Sequence, residues 1–316
     1  MIGDMQKWTP NIAGIIEHAK KIHPKSEIIS KLTNGEIHRT NYDEVCLRSR
    51  KLASKLCQDG YKEGDVLATL ALNTFRHLEI YYGVSGMGGI VHTLNFRLHP
   101  DQAKYIINHA EDKIIFLEVP FVPILEALKD DISSVEKFIL LCDKDEIPET
   151  SLKNVYSYEE YIEDGKEDFD WPSLKDDAAC GLCYTSGTTG NPKGVLYSHR
   201  STMIHTLAAA NPDALNISST DVIMPIAPMF HANAWGIPYI ANMVGAKLVL
   251  PGRHLDGKSV FDILHQEKVT FTAAVPTIWL MLFEYLDKTK NKIEFLKRCV
   301  IGGSACPKFM IEQFHK

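Results

Sequence analysis

Tyr184-Thr185-Ser186-Gly187-Thr188-Thr189-Gly190-Asn191-Pro192-Lys193-Gly194-Val195 is the stretch on which the reading of this chain turns. Four Ser or Thr hydroxyls, three glycines and one lysine fall within twelve residues. An apolar run, Ala178 to Tyr184, predicts a buried strand leading in, and Gly194 to Tyr197 predicts a second strand leading out. This composition suits phosphate. Glycines let backbone N–H groups converge on an anion. The hydroxyls donate to its oxygens, Lys193 supplies a mobile positive charge, and Pro192 stiffens the exit. The spacing is not that of the Walker A loop: counting from Gly187, the sixth place is Pro192, and Lys193 is followed by Gly194. The dinucleotide pattern fails too, because Gly86 and Gly88 are followed by Val91 where a third glycine is required.

Outward from this loop, short β-branched runs alternate with helical periodicity. Thr40-Asn41-Tyr42-Asp43 opens a helix carrying Val45, Leu47, Leu52 and Leu56, which Gly60 ends. Strands are predicted at 65–72, 90–92, 113–117 and 138–141, with helices near 75–84, 103–109 and 122–128 between them. Further strands are expected at 222–226, 247–250, 271–274 and 299–301, and the last residues, from Phe309, read as a helix begun after Pro307. Continuous apolar strands alternating with helices imply an α/β fold of mostly parallel sheets flanked by helices. The acidic run from Glu159 to Asp170 reads as a solvated connection, with a boundary dividing subdomains 1–175 and 176–316.

Composition narrows the function classes. The chain has 316 residues, 45% apolar and 23% charged, with a net charge of -6. It is too apolar for a disordered protein, and it has no apolar run long enough to span a membrane. No basic cluster points to nucleic acid. Seven scattered cysteines suggest reduced thiols and a cytoplasmic location. Cys180-Gly181-Leu182-Cys183 has redox spacing, but on a strand residues three apart face opposite ways, so both read as core thiols. His77-Leu78-Glu79 lacks the second half of a zinc deaminase signature. The other histidines, His92, His99, His109, His199 and His205, show no metal-ligand spacing.

The loop resembles, residue by residue, the signature of the adenylate-forming superfamily of acyl- and aryl-CoA synthetases, peptide adenylation domains and beetle luciferases. Two further stretches extend the likeness. Pro228-Met229-Phe230-His231-Ala232-Asn233-Ala234-Trp235-Gly236 resembles a second motif in the form found in fatty-acyl-CoA synthetases, and Ile301-Gly302-Gly303-Ser304-Ala305-Cys306-Pro307 a third. The segments 73–79 and 108–112 are similar to medium- and long-chain fatty acid–CoA ligases.

The resemblance implies a fold like the large N-terminal domain of those enzymes, and a two-step reaction. A carboxylate attacks the α-phosphate of Mg-ATP, and CoA then displaces AMP to give a thioester. It implies that Thr185, Ser186, Gly187, Thr188, Thr189, Gly190 and Lys193 hold the phosphates, with Thr185 also ligating Mg²⁺. It places His231 beside the reacting carboxylate and Trp235 at the mouth of an acyl tunnel, with Gly302, Gly303, Ser304 and Ala305 close to acyl and adenine groups. His231 and Trp235 stand four apart, on one face if the segment is helical. A homodimer is a further implication, and peripheral membrane contact is compatible with a fatty-acid substrate. The family's Tyr-Gly-x-Thr-Glu and Thr-Gly-Asp motifs and its C-terminal lid lysine have no match in these 316 residues. The expectation is therefore an N-terminal part without the lid domain, weak or inactive alone. The competing expectations are a non-catalytic nucleotide- or acyl-binding homologue, and a ligase for aryl or other carboxylic acids.

Overall fold

A computed structural model describes residues 8–185 and 191–314. Thirteen strands among them form two sheets. They are β1 (Glu27–Lys31), β2 (Ile37–Asn41), β3 (Val66–Leu70), β4 (Ile90–Thr93), β5 (Ile114–Leu117), β6 (Lys137–Leu140), β7 (Val155–Ser157), β8 (Ala179–Thr185), β9 (Lys193–Ser198), β10 (Val222–Pro225), β11 (Lys247–Leu250), β12 (Phe271–Ala274) and β13 (Arg298–Ile301). One sheet has the order β7-β6-β5-β3-β4-β8-β9 and the other β13-β12-β10-β11-β1-β2. Every pairing is parallel except β1 with β2 and β8 with β9. The expected α/β architecture of mostly parallel sheets is what the chain adopts.

The apolar strands are explained by what covers them. Along β5, Ile114 and Phe116 enter the core between the two sheets, while Ile115 and Leu117 enter a separate core on the outer face. Along β11, Leu248 and Leu250 face the central core and Val249 the outer core of the second sheet. Strands buried on both faces need apolar side chains at every position. The central layer holds the helix Phe75–Gly86, all of whose residues are buried. It also holds the helix Ile12–Ile22, whose Ile12, Ile15, Ile16 and Ala19 recur at helical spacing and are buried. Asn11 caps that helix by accepting from the Gly14 N–H.

Two expectations need correction. The run from Glu159 is not wholly a solvated connection. Tyr158–Glu163 is a short helix with Tyr158, Tyr161 and Ile162 buried. Glu159 bridges Arg48 (2.9 Å) and Arg76 (2.7 Å), and these arginines also hold Glu79 and Asp143, both at 2.7 Å. Burial disfavours the Glu159 carboxylate, but the hydrogen bonds and charges of Arg48 and Arg76 outweigh it and hold the group below its usual range. The division at residue 175 also does not separate the sheets. Strands β8 and β9 complete the sheet begun by β3, and β1 and β2 cross to the sheet of β10–β13.

Candidate active site at the ends of strands β4 and β8

The connection leaving β4 runs back past β3 to β5, whereas β8 leads on to its other neighbour, β9. The two loops therefore diverge, opening a crevice at the carboxyl ends of adjacent parallel strands, where α/β sheets bind ligands. A cavity of about 110 Å³ occupies this place. Its walls include Asn95 beyond β4, Tyr184 and Thr185 at the end of β8, Pro192, and Phe230 and His231 from the second sheet's side. Among the described lining residues none is acidic.

The expected site residues divide between this cavity and its surroundings. Thr185 and His231 meet in the cavity. Lys193 is the register partner of Thr185 across the antiparallel β8–β9 pair, and the Thr185 hydroxyl donates to its carbonyl at 3.4 Å. The Lys193 side chain is exposed and is not part of the cavity wall. Ser186, Gly187, Thr188, Thr189 and Gly190 lie outside the described residues. Trp235 stands against Gly302: a Cβ on that glycine would lie 2.9 Å from Cη2 of the indole. Gly303, with φ +79°, takes the left-handed turn after it, and Ser304 and Ala305 are exposed. The third motif thus backs the indole through Gly302 and takes no part in the cavity wall.

The segment bearing His231 is fixed by buried side chains. Asn73 donates to the carbonyls of Pro225 (2.8 Å) and Ala227 (3.0 Å) and accepts from the Met229 N–H (2.8 Å). Tyr81 donates to the Met229 carbonyl at 2.5 Å, and Thr93 to that of Phe230 at 3.3 Å. Beyond Phe230 the chain does not form the right-handed helix that the four-residue spacing suggests. His231 is extended, with φ -126° and ψ 115°. Ala232, Asn233, Ala234 and Trp235 then take φ between 44° and 57°, and Gly236 comes next at 75°. Four consecutive non-glycine residues in the left-handed region cost about 1–2 kcal/mol each. The turn is held by Cys183, which donates to the Asn233 side-chain carbonyl, with the Tyr81 hydroxyl 3.3 Å from the same oxygen. His231 and Trp235 consequently do not share a helical face: one borders the cavity and the other the Gly302 turn.

His92, which shows no functional spacing in the sequence, lies in the cavity wall. Its Nδ1 bonds both carboxylate oxygens of Asp112, at 2.8 and 2.9 Å, with both residues fully buried. The Tyr184 ring lies over it with centroids 5.1 Å apart, and the Tyr184 hydroxyl reaches His109 Nδ1 at 2.6 Å. The available signal is a polar residue inside the apolar run Ile90-Val91-His92. Cys180 and Cys183 are free, buried thiols with different partners. Burial pushes Cys180 up to about 12 and raises Cys183 as well, which leaves neither a reactive thiolate. Among the described residues no cluster of His, Cys, Asp and Glu could hold a metal ion, and no helix is long and apolar enough to cross a membrane.

The crevice, with no carboxylate among its described lining residues, stands at the carboxyl ends of adjacent parallel strands, the place where α/β folds of the nucleotide-binding type take their ligands. The comparison with known proteins is more specific. Residues 16–316 match the family described as AMP-binding enzyme, and the chain belongs to that family. It is 45% identical over 315 residues to a medium-chain-fatty-acid–CoA ligase of Ectopseudomonas oleovorans, covering 100% of this chain and 58% of that protein. It is 44% identical to a 3-methylmercaptopropionyl-CoA ligase of Ruegeria lacuscaerulensis, covering 100% of this chain and 59% of the relative. It is also 44% identical to a long-chain-fatty-acid–CoA ligase of Thermus thermophilus, with 97% and 55% covered. The chain thus spans somewhat over half the length of these relatives. The fold matches the anthranilate CoA ligase AuaEII with a TM-score of 0.88 at 20% identity, covering 99% of this chain and 59% of that one. It matches a long-chain-fatty-acid-CoA ligase of Archaeoglobus fulgidus with a TM-score of 0.85 at 22% identity, covering 99% and 62%.

Proposed function

We propose that this chain supplies the activating site of an ATP-dependent fatty acid–CoA ligase. The observation that carries the reading is the meeting of Thr185 and His231, from two different motifs, in one cavity at the ends of β4 and β8. The cavity's volume of about 110 Å³ suits the phosphate end of a nucleotide rather than the whole molecule. In the first step the carboxylate oxygen forms a bond to the α-phosphorus. The bond to the β-phosphate oxygen breaks, and pyrophosphate leaves with the electron pair. In the second step the CoA thiol gives its proton to solvent, its sulfur bonds the acyl carbon, and the acyl C–O bond breaks so that AMP leaves with the electron pair.

The loop at 185–193 is suited to the leaving pyrophosphate, whose growing charge hydroxyls, amides and Lys193 can stabilise. His231 is placed to orient the carboxylate at the cavity mouth. The Thr185 hydroxyl fits as one oxygen ligand for a Mg²⁺ that takes its other ligands from phosphate and water. When bound, that ion would neutralise phosphate charge.

The relatives' names support CoA ligation of a carboxylic acid, and at nearly equal identity they name different acids, fatty acids and 3-methylmercaptopropionate. We favour a fatty acid because the indole of Trp235 is an apolar plate of the kind that can close on an alkyl chain. The test is carboxylate-dependent exchange of radiolabelled pyrophosphate into ATP, run with octanoate, palmitate and 3-methylmercaptopropionate. Exchange driven by the fatty acids supports the reading. Exchange driven only by the thioether acid sinks the fatty-acid assignment. Where exchange is weak or absent, as expected of this part alone, calorimetry decides: octanoate or palmitate binding that depends on ATP supports the reading, and ATP binding with none of the acids bound supports the alternative of a nucleotide-binding homologue without turnover.

A further inference from the structure

The His92–Asp112 pair has no role in the two steps of acyl activation and transfer. A His–Asp pair fully buried in a sheet has left water, and that cost is offset only where its polar atoms find partners. It sits on the face of β4 opposite to Thr93, beneath the Tyr184 ring, and His92 contributes to the wall of the same cavity as Thr185 and His231. Asp112 occupies the Nδ1 edge of the ring completely. Nε2 is buried, and among the described residues it has no hydrogen-bond partner. An orphaned ring nitrogen of this kind is costly unless a partner arrives. Asp112 fixes the ring's orientation through Nδ1 and leaves Nε2 as the edge that can meet a partner. With no acidic side chain among the described lining residues, an anion is the partner that this wall fits.

We propose that His92, oriented by Asp112, is a positioning residue of the phosphate site: its Nε2 donates to a phosphoryl oxygen of the nucleotide or of the departing pyrophosphate. The proposal rests on the reading of the cavity as a phosphate site and adds a residue to it. Asp112 acts only through His92. The pair provides a hydrogen bond anchored on the β4 strand, so it would hold one end of the leaving group in register.

The test is ¹⁵N imidazole NMR of the full 316-residue chain, titrated with pyrophosphate and, separately, with octanoate. His92 ring signals are assigned through ring-to-backbone correlations, so the wild type carries the test even if variants fold poorly. Binding of pyrophosphate is measured in parallel by calorimetry for the wild type, for Lys193→Ala and for the paired variant His92→Gln/Asp112→Asn. The expected result is that pyrophosphate moves the His92 Nε2 signal, octanoate leaves it in place, and the paired variant binds pyrophosphate about tenfold or more weakly. An Nε2 signal unmoved at saturating pyrophosphate overturns the proposal, as does one that octanoate moves as far. Weakened binding in Lys193→Ala together with a silent His92 removes His92 from the site and leaves the phosphate reading standing. No binding of pyrophosphate by the wild type overturns both.

Discussion

Gly302 lies against the indole of Trp235 so closely that a single methyl group added to it would reach 2.9 Å from Cη2 and 3.0 Å from Cζ2. Two motifs some seventy residues apart in sequence are thereby joined into one wall. Gly302→Ala is expected to displace the indole, seen as a change in tryptophan fluorescence and near-ultraviolet circular dichroism, at a stability cost of about 1–3 kcal/mol. Unchanged spectra would show that the indole is not held there. In an active ligase, Trp235→Ala is expected to alter preference among fatty acids of different length, and an unchanged preference removes the gate role.

The left-handed turn gives a prediction of unusual sign. Ala→Gly ordinarily destabilises a helix by about 1 kcal/mol. Ala232, partly exposed with φ 44°, occupies a conformation that glycine adopts freely. Ala232→Gly is therefore expected to leave the urea midpoint unchanged or raise it. A loss of about 1 kcal/mol or more would contradict a left-handed conformation at this residue.

Asn73 satisfies three backbone groups in the segment leading to His231, and it is buried. Asn73→Ala leaves two carbonyls and one N–H without that partner, and a cost of about 2–4 kcal/mol is expected from chemical denaturation. Because the same bonds set the path of the chain before His231, nucleotide and carboxylate binding should weaken even at temperatures where the variant is folded. A variant with full affinity would show that the segment is fixed by other contacts.

His199 gives the fold a defined response to acid. Its Nδ1 accepts from the Ile12 N–H at 3.2 Å, and burial pushes its pKa down to about 4 from the ordinary 6.5. The unfolded chain takes up a proton at this histidine as pH falls below 6.5, whereas the folded chain does so only near 4. Its contribution to stability is therefore complete above 6.5 and is lost as pH falls towards 4. At pH 5 this one group accounts for about 2 kcal/mol. His77, also pushed down to about 4 by burial, acts in the same direction. Glu118, pushed up to about 7 by burial, acts in the opposite one. The clean readout is consequently the difference between chains: His199→Gln should lose about 2 kcal/mol less than the wild type between pH 7 and pH 5. Equal losses would mean that His199 titrates normally in the folded state.

Much of the fold is legible in the sequence because buried parallel strands write themselves as unbroken apolar runs. Ile114-Ile115-Phe116-Leu117 and Lys247-Leu248-Val249-Leu250 each mark a strand to within a residue. The membership of the sheets is not legible. Nothing local in Glu27–Lys31 says that it pairs with β11 two hundred residues later, and the helix at 12–22 and strands β1 and β2 carry too weak a pattern to stand out. The acidic helix at 158–163 passes for a solvated run because a carboxylate paired with two arginines has the same letter as a hydrated one. At the site, composition points to Thr185 and Lys193, and likeness supplies His231 and Trp235. The left-handed turn that separates the last two is invisible to spacing, since alanine and asparagine give little warning of positive φ. His92 escapes a reading of the sequence because its partner Asp112 lies twenty residues away and only the fold brings them together.

The central claim is that the cavity at the ends of β4 and β8 holds the phosphates of a nucleotide. Calorimetric binding of Mg-ATP to the wild type, Thr185→Val and Lys193→Ala tests it most directly. Both residues stand at the exposed root of the loop, so the variants should melt within about 1 kcal/mol of the wild type. The account predicts saturable binding by the wild type and affinities reduced about tenfold or more in both variants. Equal affinity in all three chains would place the nucleotide elsewhere and contradict the account.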